Sequence, residues 1–272
     1  ITCRDWSSDV CSSDLIQEES SMRDCAWLKD SFIAHRGLHS SDFSVPENSL
    51  HAFELAIEQG FAIEFDVTLM GDGTLVVFHD KDLKRMTNQE GRLLDLRYDQ
   101  VKKLRLHDTK ETIPTLTKVL ELVNGRVPLL IELKHHGNNE TLCKNFMVIM
   151  DRYKGPWAVQ SFHPMTIHWF KKNRKEVIRG QIAEYFLQDE TLKPITKFLL
   201  KRMFFNLINK VDFINYGIKN MPNPYVDKAK KKKIIVLGYC ARNPQEWAFC
   251  KHYIDNAVFE FFDPRINCND PV

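Results

Sequence analysis

The chain has 272 residues, 43% of them hydrophobic and 27% charged, which is typical of a soluble globular protein with a large buried core. Its 38 basic and 36 acidic residues leave a net charge of +2, so charge gives no case for nucleic acid as the main partner. No apolar run reaches the roughly 18 residues that a membrane span requires.

The first fifteen residues, ITCRDWSSDVCSSDL, resemble the translated read-through of a sequencing adapter and lack the apolar stretch of a signal peptide. We therefore expect residues 1–21 to be a disordered, artefactual segment and residues 22–272 to form a single domain. Two of the seven cysteines lie in this segment, and the others are scattered without a CxxC pair. This pattern favours reduced thiols in a cytoplasmic protein.

From residue 32 onward, short apolar runs alternate with amphipathic segments, as in parallel strands joined by crossover helices. Strands are predicted at 32–35, 62–67, 128–133, 157–162, 179–184, 211–216, 233–238 and 257–262. Helices are predicted at 49–59, 115–123, 139–153, 164–174, 192–209, 223–231 and 243–253. Eight strands in this alternation predict a TIM (β/α)₈ barrel.

The helix at 49–59 carries clear boundary signals. Asn48 is a candidate N-cap, Pro46 blocks extension upstream, and Gly60 can end the helix. We therefore expect this helix to begin directly after Asn48 and to pack its apolar face on the barrel.

A ninth strand candidate, TLVVF at 74–78, is joined to the second strand through Gly-Asp-Gly at 71–73. Asp-Gly between extended runs is a strong hairpin signal. Folding about Asp72 makes Asp66 and His79 cross-strand neighbours within one or two positions. We therefore expect an extra β-hairpin strand at the C-terminal rim, while the barrel itself keeps eight strands.

Strand alternation sorts the charged residues of two strands onto one face. Glu64 and Asp66 share a face of AIEFDV (62–67), and Glu132 and Lys134 share a face of LLIELK (129–134). The apolar residues between them are expected to face the helices, so the charged set points into the barrel mouth.

Three further residues are expected at the same rim. His35 ends the first strand, Arg36 follows it, and the hairpin returns His79. The C-terminal rim is where TIM-barrel active sites are built. A single histidine or Glu-x-Asp pair is more often structural, but the joint pattern favours a functional site.

The residue types of this set suit one chemistry. Three carboxylates without cysteine form a hard oxygen site for Mg²⁺ or Ca²⁺. Arg36 and Lys134 can neutralise a phosphate, and two histidines can act as general base and general acid. The set therefore predicts phosphodiester cleavage assisted by a divalent cation.

The motifs AHRG, PENS, EFDV, GDG and VVFHD between residues 33 and 80, followed by IELK, resemble the glycerophosphodiester phosphodiesterase family. The likeness runs from residue 32 to 262, and QSFHPMTIHWFKKNR and RGQIAE resemble bacterial members, especially Gram-positive ones. The resemblance implies a TIM barrel that hydrolyses glycerophosphodiesters to sn-glycerol 3-phosphate and an alcohol. A plausible route begins with attack by the neighbouring glycerol hydroxyl, which forms a cyclic phosphate that water opens.

The resemblance also implies roles for individual residues. The positions that match the family's metal ligands are Glu64, Asp66 and Glu132. Those that match its acid–base pair are His35 and His79. Those that match its substrate contacts are Arg36 and Lys134.

The sequence departs from the family at one point. Many members carry Trp-Thr-Val-Asn on a late strand, where this chain has LGYCARN at 237–243. Tyr239 is the aromatic residue that could replace the missing Trp in the alcohol pocket.

Two alternative functions, and the role of one surface segment, remain undecided by the sequence. The chain could act as a lysophospholipase-D-like enzyme, or as a non-catalytic barrel that binds a phosphate ligand, although a binder has no need for both histidines. The basic, aromatic segment at 192–210 is predicted as a barrel-packing helix. Its alternative is an interfacial helix with weak membrane-surface contact, which suits a lipid substrate.

Overall fold

Eight parallel strands close into a barrel in the computed structural model, which describes residues 24–265. The strands are β1 Ile33–His35, β2 Ala62–Leu69, β3 Leu75–Val77, β4 Leu129–Leu133, β5 Trp157–Ser161, β6 Arg179–Ala183, β7 Phe213–Gly217, β8 Ile235–Ala241 and β9 Asn256–Phe259. The ring runs β1-β2-β4-β5-β6-β7-β8-β9 and closes on β1, while β3 pairs only with β2. The predicted TIM barrel with an extra hairpin strand is confirmed.

Most of the helices lie outside this ring, between successive strands. They are α1 Trp27–Asp30, α2 Leu50–Glu58, α3 Lys84–Thr87, α4 Tyr98–Val101, α5 Leu116–Val123, α6 Asn139–Met150, α7 Pro164–Asn173, α8 Pro194–Lys201, α9 Asn206–Asn209, α10 Pro224–Lys231 and α11 Pro244–Tyr253. None of those in the described part of the chain combines the length and apolar character needed to cross a membrane. The predicted segment 1–21 lies outside the described residues, so the domain boundary at residue 22 stays a prediction.

Apolar residues divide between two layers, as strand alternation predicts. Ala62 and Leu130 belong to a cluster inside the barrel, which Leu28 of α1 joins from below. Ile63 and Ile131 belong to a second cluster, between the strands and the outer helices. Most strand residues on both faces are therefore buried, and the charged inward residues Glu64, Asp66 and Glu132 lie toward the C-terminal rim.

The register of the hairpin agrees with the count of residues on either side of Asp72. Val67 pairs with Val77 and Leu69 with Leu75, and the Phe78 amide donates to the Asp66 carbonyl at 2.9 Å. His79 therefore lies one position beyond the partner of Asp66. The prediction that these two residues become cross-strand neighbours is confirmed.

The helix predicted at 192–209 is wrong as a single element. It ends after Lys201, because Met203 adopts a left-handed backbone with φ 51°. The amides of Met203 and Phe204 donate to the carbonyls of Leu200 and Leu199, which is a Schellman ending without glycine. Met203 is buried against the barrel, so packing there replaces continued helix.

The predicted cap of α2 is also wrong. Ser49, not Asn48, accepts the hydrogen bond from the Ala52 amide. Asn48 has φ 57°, and its side-chain amide donates to Asp66 Oδ2 at 2.9 Å. A tertiary contact with a site carboxylate has therefore taken the place of the local cap.

Candidate active site

The seven predicted site residues meet at the C-terminal end of the barrel. In the parallel register, His35 lies beside Glu64, and Asp66 lies beside Glu132. A cavity of about 480 Å³ opens here, and six of the seven line it, namely His35, Arg36, Glu64, His79, Glu132 and Lys134. The seventh, Asp66, is 1% exposed and contacts both Arg36 and Lys134.

Three buried carboxylates form the centre of the site. Glu64, Asp66 and Glu132 each offer an oxygen atom, and these atoms lie within 4.8 Å of one another. Burial and the charges of Asp66 and Glu132 raise the pKa of Glu64 well above its usual value. Burial likewise raises the pKa of Glu132. Carboxylates this close repel one another, so the cluster favours a bound cation.

Lys134 partly neutralises this cluster. Its Nζ lies 2.9 Å from Asp66 Oδ1 and 2.7 Å from Glu132 Oε1. Burial alone would raise the pKa of Asp66, but the charges of Lys134, His79 and Arg36 outweigh it and hold that pKa well below its usual value. Lys134 and Arg36 bring two positive charges to three carboxylates, which leaves a negative excess, and the all-oxygen donor set fits Mg²⁺ or Ca²⁺.

Each histidine of the site is held by a carboxylate at Nδ1. His35 Nδ1 donates to Glu260 Oε2 at 2.6 Å, and Arg242 Nε donates to Glu260 Oε1 at 2.5 Å. Burial, followed by the charge of Arg36, lowers the pKa of His35 to about 4, so its ring is neutral at pH 7. The carboxylate fixes the tautomer and leaves Nε2 as the nitrogen available for proton transfer.

His79 has the same arrangement on the hairpin side. Its Nδ1 donates to Asp80 Oδ1 at 2.7 Å, and Arg85 Nε donates to Asp80 Oδ2 at 2.6 Å. Both proposed acid–base residues therefore present Nε2 as the reactive nitrogen, each in an orientation set by a carboxylate–arginine pair.

Glu47 connects Arg85, on the hairpin side, to Arg36. Its Oε1 accepts from Arg36 Nη1 at 2.7 Å, and Arg85 donates to both of its oxygens at 2.7 and 2.9 Å. Burial would raise the pKa of Glu47, but the Arg85 hydrogen bonds and the charges of Arg36 and Arg85 lower it to about 2. The carboxylate therefore stays charged and holds both arginines in place.

Sequence reasoning missed these supporting residues, although some had a signal. Glu47 stands in PENS and Asp80 in VVFHD, two motifs that carried the family resemblance. Glu260 follows inward-facing Val258 by two positions, so alternation along the eighth barrel strand could have found it. Arg85 offered no pattern of its own.

A family model described as glycerophosphoryl diester phosphodiesterase family matches residues 35–260 of the chain. The chain belongs to this family. The match begins at His35 and ends at Glu260, the two residues that are hydrogen-bonded to each other across the closure of the barrel.

Several glycerophosphodiester phosphodiesterases resemble this family member. Glycerophosphodiester phosphodiesterase 1 of Homo sapiens is 34% identical over 160 residues, which are 54% of this chain and 47% of the human protein. The enzyme of Caldanaerobacter subterraneus is 42% identical over 115 residues, which are 39% of this chain and 46% of that protein. The chain thus spans about half the length of the curated relatives it matches.

Solved structures resemble this family member over most of its length. A phosphodiesterase of Oleispira antarctica, in complex with the product sn-glycerol-3-phosphate, matches with a TM-score of 0.71 at 25% identity. The match covers 85% of this chain and 92% of the Oleispira chain.

The family member's cavity extends beyond the carboxylate cluster to the opposite side of the mouth. Phe162, Glu184, Phe186 and Tyr239 line it there. Tyr239 lies in β8, within the LGYCARN stretch, and its ring contributes an aromatic wall. The expected aromatic surface is therefore present in the cavity without the Trp of other members.

Proposed function

We propose that this protein hydrolyses glycerophosphodiesters to sn-glycerol 3-phosphate and an alcohol, using a divalent cation and two histidines as acid and base. The observation that carries the proposal is a single cavity lined by two histidines, each hydrogen-bonded to a carboxylate. The same cavity borders a buried cluster of three carboxylates. Membership of the phosphodiesterase family supports it.

Each proposed role follows from the geometry of the cavity. Arg36 and Lys134 neutralise the phosphate, and Glu64, Asp66 and Glu132 hold the cation, which we propose to be Mg²⁺ or Ca²⁺. When bound, the cation supplies positive charge to a phosphoryl oxygen. We also propose a cytoplasmic location, on the cysteine pattern of the sequence.

The two histidines carry the proton transfers of the reaction. One takes the proton of the neighbouring glycerol hydroxyl as its oxygen attacks phosphorus, and the other protonates the departing alcohol oxygen as the phosphorus–oxygen bond breaks. Water then opens the cyclic phosphate, giving one proton to the second histidine while the first returns its proton to the glycerol oxygen. Both residues end in their starting states, so the cycle balances.

Turnover of glycerophosphocholine and of lysophosphatidylcholine, each with Mg²⁺, with Ca²⁺ and with EDTA, tests this function. We expect release of sn-glycerol 3-phosphate from glycerophosphocholine in the presence of a cation. Turnover of lysophosphatidylcholine without turnover of glycerophosphocholine would instead support the lysophospholipase-D-like alternative. Binding of glycerophosphocholine without any turnover would support the non-catalytic barrel.

One surface favours the lipid-directed alternative as a second candidate. Apolar side chains stand exposed after β6, with Leu187 75%, Ile195 62%, Phe204 52%, Leu207 64% and Ile208 51% accessible. Leu187 also lines the cavity, so this surface borders the mouth. We propose that the segment 192–210, which carries five basic residues among these apolar ones, makes weak contact with an anionic membrane surface.

Vesicle sedimentation tests this contact. The protein should sediment with phosphatidylglycerol vesicles at low salt and much less with phosphatidylcholine vesicles, because basic side chains add attraction to anionic lipid. The double variant Phe204→Ser, Leu207→Ser should lose binding, whereas Val148→Ser, at an exposed position of α6, should keep it. Equal binding by both variants, or none by the wild type, would rule the contact out.

A further inference from the structure

The barrel mouth divides into two halves by strand order. His35, Glu64 and Glu132 lie on β1, β2 and β4, whereas Phe162 and Glu184 directly follow β5 and β6. Because β6 lies four places from β1 in a ring of eight, Glu184 stands across the barrel from His35. A diester whose phosphate sits at the first half therefore directs its alcohol toward the second.

Three aromatic rings line the second half. The Phe162 ring lies 6.0 Å from the Phe186 ring and 5.8 Å from the Tyr239 ring, with interplanar angles of 74° and 85°. Because these contacts are edge-on, the faces of the three rings point in different directions, and all three rings line the same cavity. The faces of aromatic rings carry negative charge density, which attracts cations.

Glu184 adds a formal negative charge beside these rings. Tyr239 Oη donates to Glu184 Oε2 at 3.1 Å, so the carboxylate is oriented by a neutral partner. The cationic side chains Arg36, Lys134 and Arg242, which line the same cavity, pair with other carboxylates, namely Glu47, Asp66, Glu132 and Glu260. Lys219 also lines the cavity, and it is an exposed residue.

A glycine lies beside the side chains of Glu184 and Tyr239. A Cβ atom on Gly217, at the end of β7, would lie 3.3 Å from both Glu184 Cβ and Tyr239 Oη. Any larger residue would therefore crowd the side chains of Glu184 and Tyr239. From β5 to β8, successive strands thus supply Phe162, Glu184, Gly217 and Tyr239 to this side of the mouth.

We propose that Phe162, Glu184, Phe186 and Tyr239 form a subsite for the ammonium group of a cationic alcohol, so that diesters of choline or ethanolamine are preferred. The inference rests on the proposed function, because it names the alcohol that the same cavity accepts. An anionic headgroup would meet repulsion from Glu184. A neutral polyol would gain little from the three ring faces.

Paired kinetics on glycerophosphocholine and glycerophosphoglycerol, with the cation present, test this subsite. Glu184→Gln should lower the ratio of kcat/KM for the choline diester to that for the glycerol diester by about tenfold, chiefly through KM. Phe162→Leu should lower the same ratio. Glu190→Gln, the same change at an exposed position outside the cavity, should leave the ratio as in the wild type.

Calorimetric titration with free choline separates this inference from the proposed function. If both diesters turn over and the ratio is the same in wild type and Glu184→Gln, the subsite is wrong and the hydrolase stands. If neither diester turns over but choline binds the wild type and not Glu184→Gln, the hydrolase is wrong and the subsite stands. Absence of both turnover and choline binding overturns both.

Discussion

Exhaustive removal of divalent cations with EDTA should abolish hydrolysis and lower the melting temperature, and Mg²⁺ or Ca²⁺ should restore both. The carboxylate oxygens of Glu64, Asp66 and Glu132 lie within 4.8 Å of one another and are buried. A cation that binds only the folded state stabilises it by ~2.7 kcal/mol when its free concentration is about 100 times Kd. Thermal unfolding and turnover measured on the same samples check this result.

The variant Glu64→Gln separates charge from shape at this site. It should lower cation affinity at least about tenfold and reduce activity sharply, because one anionic ligand is lost. Burial raises the pKa of Glu64 in the folded state. Glu64 therefore lowers the free energy of unfolding at any pH above the ordinary pKa of a glutamate. Cation-free Glu64→Gln should therefore unfold at the same temperature as the cation-free wild type or higher.

Glu58→Gln, on the exposed side of α2, is the matched control and should change neither cation affinity nor activity. Full activity in EDTA after complete cation removal would contradict this view of the site. An unchanged cation titration for Glu64→Gln would contradict it equally.

Alanine at His35 or at His79 should lower kcat by about 10²–10⁴ while KM changes little, since general acid–base groups act in the transition state. Each ring is oriented through Nδ1 by a carboxylate, Glu260 or Asp80, which indicates proton transfer at Nε2. His252→Ala, at an exposed position of α11, should retain wild-type kinetics. Steady-state kinetics on glycerophosphocholine measure these effects.

The leaving group distinguishes the two histidines. A glycerophosphodiester of p-nitrophenol needs little protonation as its alcohol departs, so the variant that lacks the general acid should show a milder defect with it. The variant that lacks the general base should be equally impaired with both substrates. Equal defects of both variants with both substrates would refute the division of roles, though not the location of the site.

Local patterns predicted the barrel well because its strands follow two simple rules, the alternation of side chains along a strand and the pairing of residues at equal distances from a hairpin turn. Alternation placed Glu64, Asp66 and Glu132 inward, and counting residues about Asp72 placed His79 near Asp66. Both inferences use neighbours along the chain or across a tight turn. They therefore needed no knowledge of distant contacts.

Residues missed by sequence reasoning depend on longer-range geometry. Glu260 reaches His35 because β9 pairs with β1, with Val258 beside Ile33, and that register joins the two ends of the domain. Asn48 left its expected cap position because Asp66, eighteen residues away, accepts its amide hydrogen. In both cases a buried charge required a partner that local propensity does not describe.

The length of the hairpin also sets the position of His79. Surface turns usually tolerate inserted residues. Here, one added residue between Asp66 and Val77 would slide β3 by about 3.3 Å and turn His79 to the opposite face of its strand. The number of residues in an exposed turn thus sets where His79 stands relative to the carboxylate cluster, although no atom of the turn belongs to the site.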